Sequence, residues 1–315
     1  MNFEAVKPGI WIAYSAVLVL LLLGSGATRV LTGRFPQRDY TELRLRVRTW
    51  WIIVIPMAAA LLSGTGVSVV LLAVIGGLAL KEYLALLATR HGEVFPLWIA
   101  YLTVPVQFAL AWRSSYFAFA AFIPLFGLIA FPAAALVHGH TVAFARAAAS
   151  LYLGIVLTVF STSHIALLLM LPDAGNPAGG GVGLVVFLLF ITQFNDVVQY
   201  VSGKCFGRRP IAPRLSPRKT VEGLVGGILV SGLAATLIGP LLTPMDAATS
   251  LIAGLVMAVT GFLGDVAVSA IKRDFAVKDM GDLLPGHGGI LDRIDSLICT
   301  GPLFFYFIYF AYYVD

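Results

Sequence analysis

Residues 265–296 carry the densest run of ionisable and glycine residues in the chain. Asp265, Asp274, Asp279, Asp282, Asp292 and Asp295 stand against Lys272, Arg273, Lys278 and Arg293, with His287 in a Pro-Gly-His-Gly-Gly turn. Carboxylates ligate hard cations through oxygen, and lysine and arginine bind phosphate. Acids for metal and bases for phosphate therefore lie side by side. Asp265 falls inside an apolar run, where an ionisable group is functional by default, and Ser269 and Lys272 follow on the same helical face. The plainer reading is an ion pair with Lys272 or Arg273 reaching to the interface. Asp292 and Asp295 are spaced i, i+3, so both face one way if the last helix begins near Gly288. A solvated helix start, favoured by the helix dipole, would use the same spacing. Three converging acids, Asp265, Asp292 and Asp295, point toward oxygen-ligated Mg²⁺.

A second cluster precedes it. Asn195 and Asp196 close a long apolar run, and a basic loop follows with Lys204, Arg208, Arg209, Arg214, Arg218 and Lys219, ending in Thr220 and a glycine-rich helix start. Bases, backbone donors and a helix N-terminus suit polyphosphate, and Lys219-Thr220 at the helix start is the sharpest expectation there. His287 is the one histidine among the acids; the others have no acid or nucleophile nearby in sequence. No nucleophile-elbow or histidine-zinc motif occurs.

The elements that position these residues follow from composition. Of the 315 residues 59% are hydrophobic and 12% charged, with a mean hydropathy of +0.92, too apolar for a soluble domain. Leucine, valine and alanine fill long runs without the alternation of a membrane barrel, so helices must do the spanning. The fold expected is an all-α polytopic integral membrane protein of about ten transmembrane helices. Their approximate limits are 9–27, two short spans in 49–80 broken at Ser63-Gly64-Thr65-Gly66, 96–112, 115–137, 150–171, 183–201, 223–242, 249–269 and 297–314. The first is read as a retained span with its N-terminus outside, because arginines crowd the loop after it. This count places all but Lys7 and Arg113 of the 21 Lys and Arg residues on the cytoplasmic face. Two cytoplasmic loops, 202–222 and 270–294, then carry the chemistry. Residues 1–194 are expected to form N-terminal spans and 195–315 a catalytic membrane region. The net charge of +5 sits in short interspan loops, which argues for lipid and phosphate contact and against nucleic acid. Cys205 and Cys299 make neither a disulfide framework nor a metal pair.

Ser269-Ala-Ile-Lys272-Arg273, Lys278-Asp279 and Pro285-Gly-His287-Gly-Gly-Ile-Leu-Asp292-Arg293-Ile-Asp295 together resemble the C-terminal signature of the phosphatidate cytidylyltransferases, also called CDP-diacylglycerol synthases. Asn195-Asp196 with Ser216-Pro-Arg218-Lys219-Thr220-Val-Glu222-Gly223 is similar to that family's other motif. The resemblance covers about residues 195–300. It implies an inner-membrane enzyme, its active site facing the cytoplasm, that joins CTP to phosphatidic acid with Mg²⁺ and yields CDP-diacylglycerol and pyrophosphate. By the resemblance Asp265 and Asp292 hold the metal and Asp295 supports it, a second cation being left open. Asp196 joins them or holds nucleotide. Lys219, with Ser216 and Thr220, holds CTP phosphates, and Lys272, Arg273 and Arg293 stabilise pyrophosphate or the lipid phosphate. Asn195, Arg218, Ser269 and His287 complete the substrate-contacting set. Two departures adjoin the site: Val268 where many members carry Glu, and Val197-Val198-Gln199-Tyr200 after Asn-Asp. They direct attention to the acceptor, so a paralogue acting on another lipid or alcohol phosphate is the first alternative. A CTP-dependent lipid kinase and an ion-coupled transporter are the others. A homodimer is left open.

Overall fold

The computed structural model describes residues 7–37, 39–91, 98–138, 144–284 and 288–314. In chain order the helices are α1 (Pro8–Arg34), α2 (Thr41–Ser63), α3 (Thr65–His91), α4 (Trp98–Trp112), α5 (Tyr116–His138), α6 (Phe144–Ile155), α7 (Ser161–Met170) and α8 (Gly180–Phe206). A hairpin of β1 (Pro210–Ala212) and β2 (Ser216–Thr220) follows, then α9 (Val221–Leu242), α10 (Ala247–Asp274), α11 (Leu291–Ile294) and α12 (Leu297–Tyr312). A π-helical turn over Val156–Phe160 joins α6 and α7 into one rod.

Seven helices among the described residues are long and apolar enough to cross a membrane, with lengths from 21 to 28 residues. At about 1.5 Å per residue, 20 residues match a hydrocarbon core of about 30 Å. Three shorter apolar helices, Ile99–Trp112, Tyr116–Ala130 and Leu297–Tyr312, complete the set. The chain is thus an all-α polytopic membrane protein. Each apolar run read from the sequence falls on one of these helices, but their ends differ. The second helix starts at Thr41 and the third continues through Lys81 and Glu82, both outside the expected 49–80 pair. Helix α10 runs to Asp274, so the second loop is shorter than 270–294. The basic loop is in part a hairpin, with Pro210 opposite Thr220 and Ala212 opposite Ser216. Helix α8 covers its first residues as far as Phe206.

The rod of α6 and α7 is the interior of the N-terminal half, and every residue from Ser161 to Leu169 is buried. Helices apolar on all sides are stable only when so enclosed or in lipid. The hydroxyls along it turn inward on their own backbone: Thr158 Oγ1 donates to the Gly154 carbonyl at 2.7 Å and Ser163 Oγ to the Phe160 carbonyl at 2.8 Å. Helix α1 is the opposite case, with Leu20, Leu22 and Leu23 more than half exposed for contact with lipid.

Helices α8, α9 and α10 pack most closely, and α12 lies against α10 and α7. Lipid tails are as apolar as leucine, so close helix contact in a membrane comes from small residues that let backbones approach. At Gly254 of α10 a Cβ would lie 2.5 Å from Ala235 Cβ and 3.0 Å from Gly232 Cα on α9. Gly254→Leu should therefore lower stability by about 3 kcal/mol, at the upper end of overpacking costs. The check is the thermal unfolding midpoint of the purified chain in detergent; an unchanged midpoint would mean the α9–α10 contact is not as close as described.

Candidate functional site

Three segments meet at one end of the α8–α9–α10 bundle: the C-terminal half of α8, the hairpin with the start of α9, and the end of α10 with the chain that leads to α12. Thr220 caps α9, its hydroxyl accepting from Gly223 N at 3.2 Å. Glu222 closes the hairpin base by accepting from Arg208 N at 2.9 Å and Arg209 N at 3.2 Å. The hairpin thereby holds Lys219 against α10, where its ammonium pairs with Asp265 Oδ2 at 2.5 Å and lies 4.8 Å from the centre of the Phe262 ring. Ser269, one turn on, donates to Asp265 Oδ1 at 3.3 Å. Asp265 keeps 29% of its side chain exposed and Lys219 16%, with the Lys219 ammonium itself buried, so the pair is half-buried and Asp265 is the partner that faces an opening.

Asp196 and Asp295 complete this cluster. Ser296 Oγ donates to Asp196 Oδ1 at 3.0 Å, and Ser296 N to Asp295 Oδ1 at 2.8 Å. Asp196, Asp265 and Asp295 lie within electrostatic range of one another, with Lys219 near Asp196 and Arg293 near both Asp196 and Asp295. Burial first, then the Asp265 and Asp196 carboxylates, raise the Asp295 carboxyl well above the usual carboxylate range, and Arg293 opposes that rise. Arg293 Nε is buried without a hydrogen-bond partner among the described residues. Such a group is costly unless an acceptor arrives.

Asp292 has partners of its own. It is 2% exposed and fully engaged: Lys272 Nζ lies 2.9 Å from Oδ1, while Met280 N at 2.8 Å and Gly289 N at 3.0 Å donate to Oδ2. Gly288 takes a left-handed turn at φ +78°, and α11 starts at Leu291, later than the start near Gly288 read from the sequence, with helical backbone kept through Asp295. A side chain at 288 would also meet Asp292 Oδ2 at 2.7 Å, so the turn requires glycine. Lys272, expected on the face of Asp265, reaches across to Asp292.

The remaining candidates divide. Asn195, 1% exposed, bridges helices, accepting from Ser231 Oγ at 3.4 Å and donating to the Ala258 carbonyl at 3.4 Å. Arg273 Nε donates to the Leu215 carbonyl at 3.2 Å, which ties α10 to the hairpin turn. Ser216 is half-buried and Arg218 exposed on β2. His287 lies outside the described residues. Val268 is fully buried within the apolar core.

One carboxylate was missed by the reading of the sequence. Glu82 of α3, 7% exposed, accepts from Ile290 N at 2.9 Å through Oε1 and from Leu291 N at 2.9 Å through Oε2. It anchors the segment carrying Asp292, Arg293 and Asp295 to the N-terminal half of the molecule. Its signal was present, since Lys81-Glu82 interrupts an otherwise apolar stretch. Ending the span at Leu80 put the pair in a loop.

Asp196, Asp265 and Asp295 share one region with two cationic side chains, and carboxylate oxygen is the donor type that a hard divalent cation takes. Among the described residues, no three Asp, Glu, His or Cys side chains stand close enough to enclose an ion.

Comparison with known proteins gives the family. The cytidylyltransferase family matches residues 44–311, and the chain belongs to that family. It is 44% identical to the uncharacterised protein YnbB of Escherichia coli K12 over 299 residues, 95% of this chain and 98% of that one. It is 41% identical over 131 residues to the phosphatidate cytidylyltransferase of Bacillus subtilis, and 36% identical over 136 residues to that of Haemophilus influenzae. Those matches cover 41% and 42% of this chain, and about half of each relative, 48% and 47%. The chain is therefore a membrane-integral nucleotidyltransferase.

Glu82→Ala should leave two amides at the start of α11 without acceptors, at a cost of about 2 kcal/mol or more. Glu82→Gln, which keeps one acceptor oxygen, should lose less. Hydrogen exchange at Ile290 and Leu291 reads this directly, and wild-type protection in the alanine variant would refute the anchor.

Proposed function

We propose that the chain is a CTP-dependent cytidylyltransferase whose acceptor is phosphatidic acid, giving CDP-diacylglycerol and pyrophosphate. The observation that carries this reading is the Lys219–Asp265 pair at an opening of the bundle, bordered by Asp196, Asp295 and Arg293. A phosphate monoester oxygen of phosphatidate attacks the α-phosphorus of CTP, and the bond to the β-phosphate oxygen breaks to release pyrophosphate. The nucleophile is already anionic, so no strong general base is needed. The demands are alignment and neutralisation of charge.

Lys219 donates to the CTP phosphates, and Arg293 offers its free Nε to an incoming phosphate oxygen. Asp265 and Ser269 hold the Lys219 ammonium in place until polyphosphate competes for it. Asp196, Asp265 and Asp295 would hold Mg²⁺, which when bound supplies positive charge to the triphosphate. Asp292 is better suited to fixing the chain between α10 and α12, since ligation would cost it a buried ion pair and two amide donors. On this reading the hairpin and the end of α10 face the cytoplasm of a bacterial inner membrane, in keeping with the basic residues gathered there.

A second reading keeps the reaction and changes the acceptor. It is favoured by the full-length likeness to YnbB against the half-length likeness to the phosphatidate enzymes. Mass spectrometry of the products formed from CTP and a panel of lipid phosphates distinguishes the two. Labelled CTP also excludes or exposes a lipid kinase, because only a cytidylyltransferase leaves cytidine on the lipid.

Two substitutions separate chemistry from scaffold. Asp265→Asn should reduce CTP-dependent turnover about a hundredfold or more and lower the unfolding midpoint less than Asp292→Asn does, since Asp265 keeps 29% of its side chain exposed and Asp292 2%. Asp292→Asn should lower both, because breaking a buried pair costs about 3–5 kcal/mol. Turnover and thermal unfolding of the purified proteins in detergent check this, and full activity in Asp265→Asn would overturn the assigned centre.

A further inference from the structure

Away from the reaction centre, the arginine-rich stretch after the first span folds around a cavity of its own. A space of about 630 Å³ opens between the C-terminal part of α1 and the N-terminal part of α2, lined by Ser25, Thr28, Arg29, Arg44, Arg48 and Trp51 among others. Trp51 Nε1 donates to Ser25 Oγ at 3.0 Å and ties the two helices together. The hydroxyls on α1 are committed to their own helix, Ser25 Oγ to the Leu21 carbonyl at 2.8 Å and Thr32 Oγ1 to the Thr28 carbonyl at 2.8 Å. The guanidinium groups are therefore the available donors. Arg29, Arg44 and Arg48 are exposed, and no ion pair to a described carboxylate engages them. Asp39 is within electrostatic range of Arg44, but its Oδ1 accepts from Thr41 N at 2.8 Å.

An orientation anchor needs only bases in a loop at the interface. Here Arg29 comes from one helix and Arg44 and Arg48 from a single face of another, one turn apart, all on one cavity. The level in the membrane also follows. Gly9 at the start of α1 abuts the Leu241 backbone at the end of α9, so the other end of α1 lies toward the end of α9 that begins beside the hairpin. The cavity is thus on the hairpin face, next to the exposed leucines of α1. An occupant that pairs phosphate with an apolar body fits both surfaces.

We propose that this cavity holds the headgroup phosphate of an anionic glycerophospholipid, with Arg29, Arg44 and Arg48 donating to its oxygens and the acyl chains lying along α1. The site is separate from the reaction centre and does not depend on the identity of the acceptor lipid.

The test uses the full-length chain purified in detergent with neutral lipid and titrated with short-chain phosphatidylglycerol, binding being counted by native mass spectrometry. That lipid is a phosphodiester and lacks the monoester oxygen a cytidylyl acceptor must have, so it does not report turnover. Arg29→Gln and Arg48→Gln should each weaken binding about fivefold, Arg48→Lys should retain most of it, and Arg113→Gln should leave it unchanged. Wild-type affinity in both glutamine variants, or equal binding of phosphatidylcholine, would overturn the site. Inorganic phosphate binding as tightly as the lipid would overturn the lipid assignment.

Discussion

A carboxylate carried into a membrane-embedded fold is tolerable only if donors meet it, and that constraint organises this molecule. Three acids are held by groups from other elements of the chain. Glu82 takes two amides at the head of α11, Asp292 takes Lys272 and two amides of the connecting chain, and Asp265 takes Lys219 from the hairpin. The bonds to Glu82 and Asp292 satisfy groups that low-dielectric surroundings would otherwise penalise by several kcal/mol. Together they stitch α3, α10, the hairpin and the chain before α12 into one frame. The apolar helices supply length and enclosure, whereas the ion pairs and amide contacts decide where the reactive end is.

The helices were legible because about 20 apolar residues spell a span with little ambiguity. Their ends were less so. Propensity continues a helix past the hydrocarbon limit, and both Lys81-Glu82 and Ile271–Asp274 stayed helical where hydropathy alone suggested loop. The hairpin was hidden for a different reason: Pro210, Pro213 and Pro217 with interspersed bases read as loop, and only the pairing of Pro210 with Thr220 makes it a sheet.

Membership of the candidate site was partly legible, its pairings hardly at all. Asp196, Lys219, Asp265, Ser269, Arg293 and Asp295 gather as their residue types suggested. Helical spacing could put Ser269 beside Asp265, since that contact spans one turn. It could not foresee that Lys272 would turn to Asp292, because that choice depends on a left-handed turn at Gly288 and on a chain of intervening residues with no period to read. Asn195 and Thr220 carry structural bonds that spacing does not reveal, one bridging helices and the other capping α9. Val268 likewise adjoins the motif in sequence while its side chain belongs to the core.

The contrast between Asp265 and Asp292 gives the arrangement its logic. Both pair with a lysine, yet one pair sits at an opening and the other is sealed beneath a turn. On the proposed function the half-buried pair, with Asp265 open to solvent, can be parted by a competing polyphosphate at the smaller cost. A sealed pair reinforced by two amides cannot, and parting it would release the chain it holds. Exchangeable charge is thus kept at the mouth and fixed charge behind it. The fixed pair holds α11, and with it Arg293 and Asp295, near Asp196 and Asp265. Glu82 then matters for the same reason as Asp292, although it lies more than a hundred residues from the motifs: it carries the rigidity of the enclosed N-terminal helices to the segment on which the cationic and acidic groups are mounted.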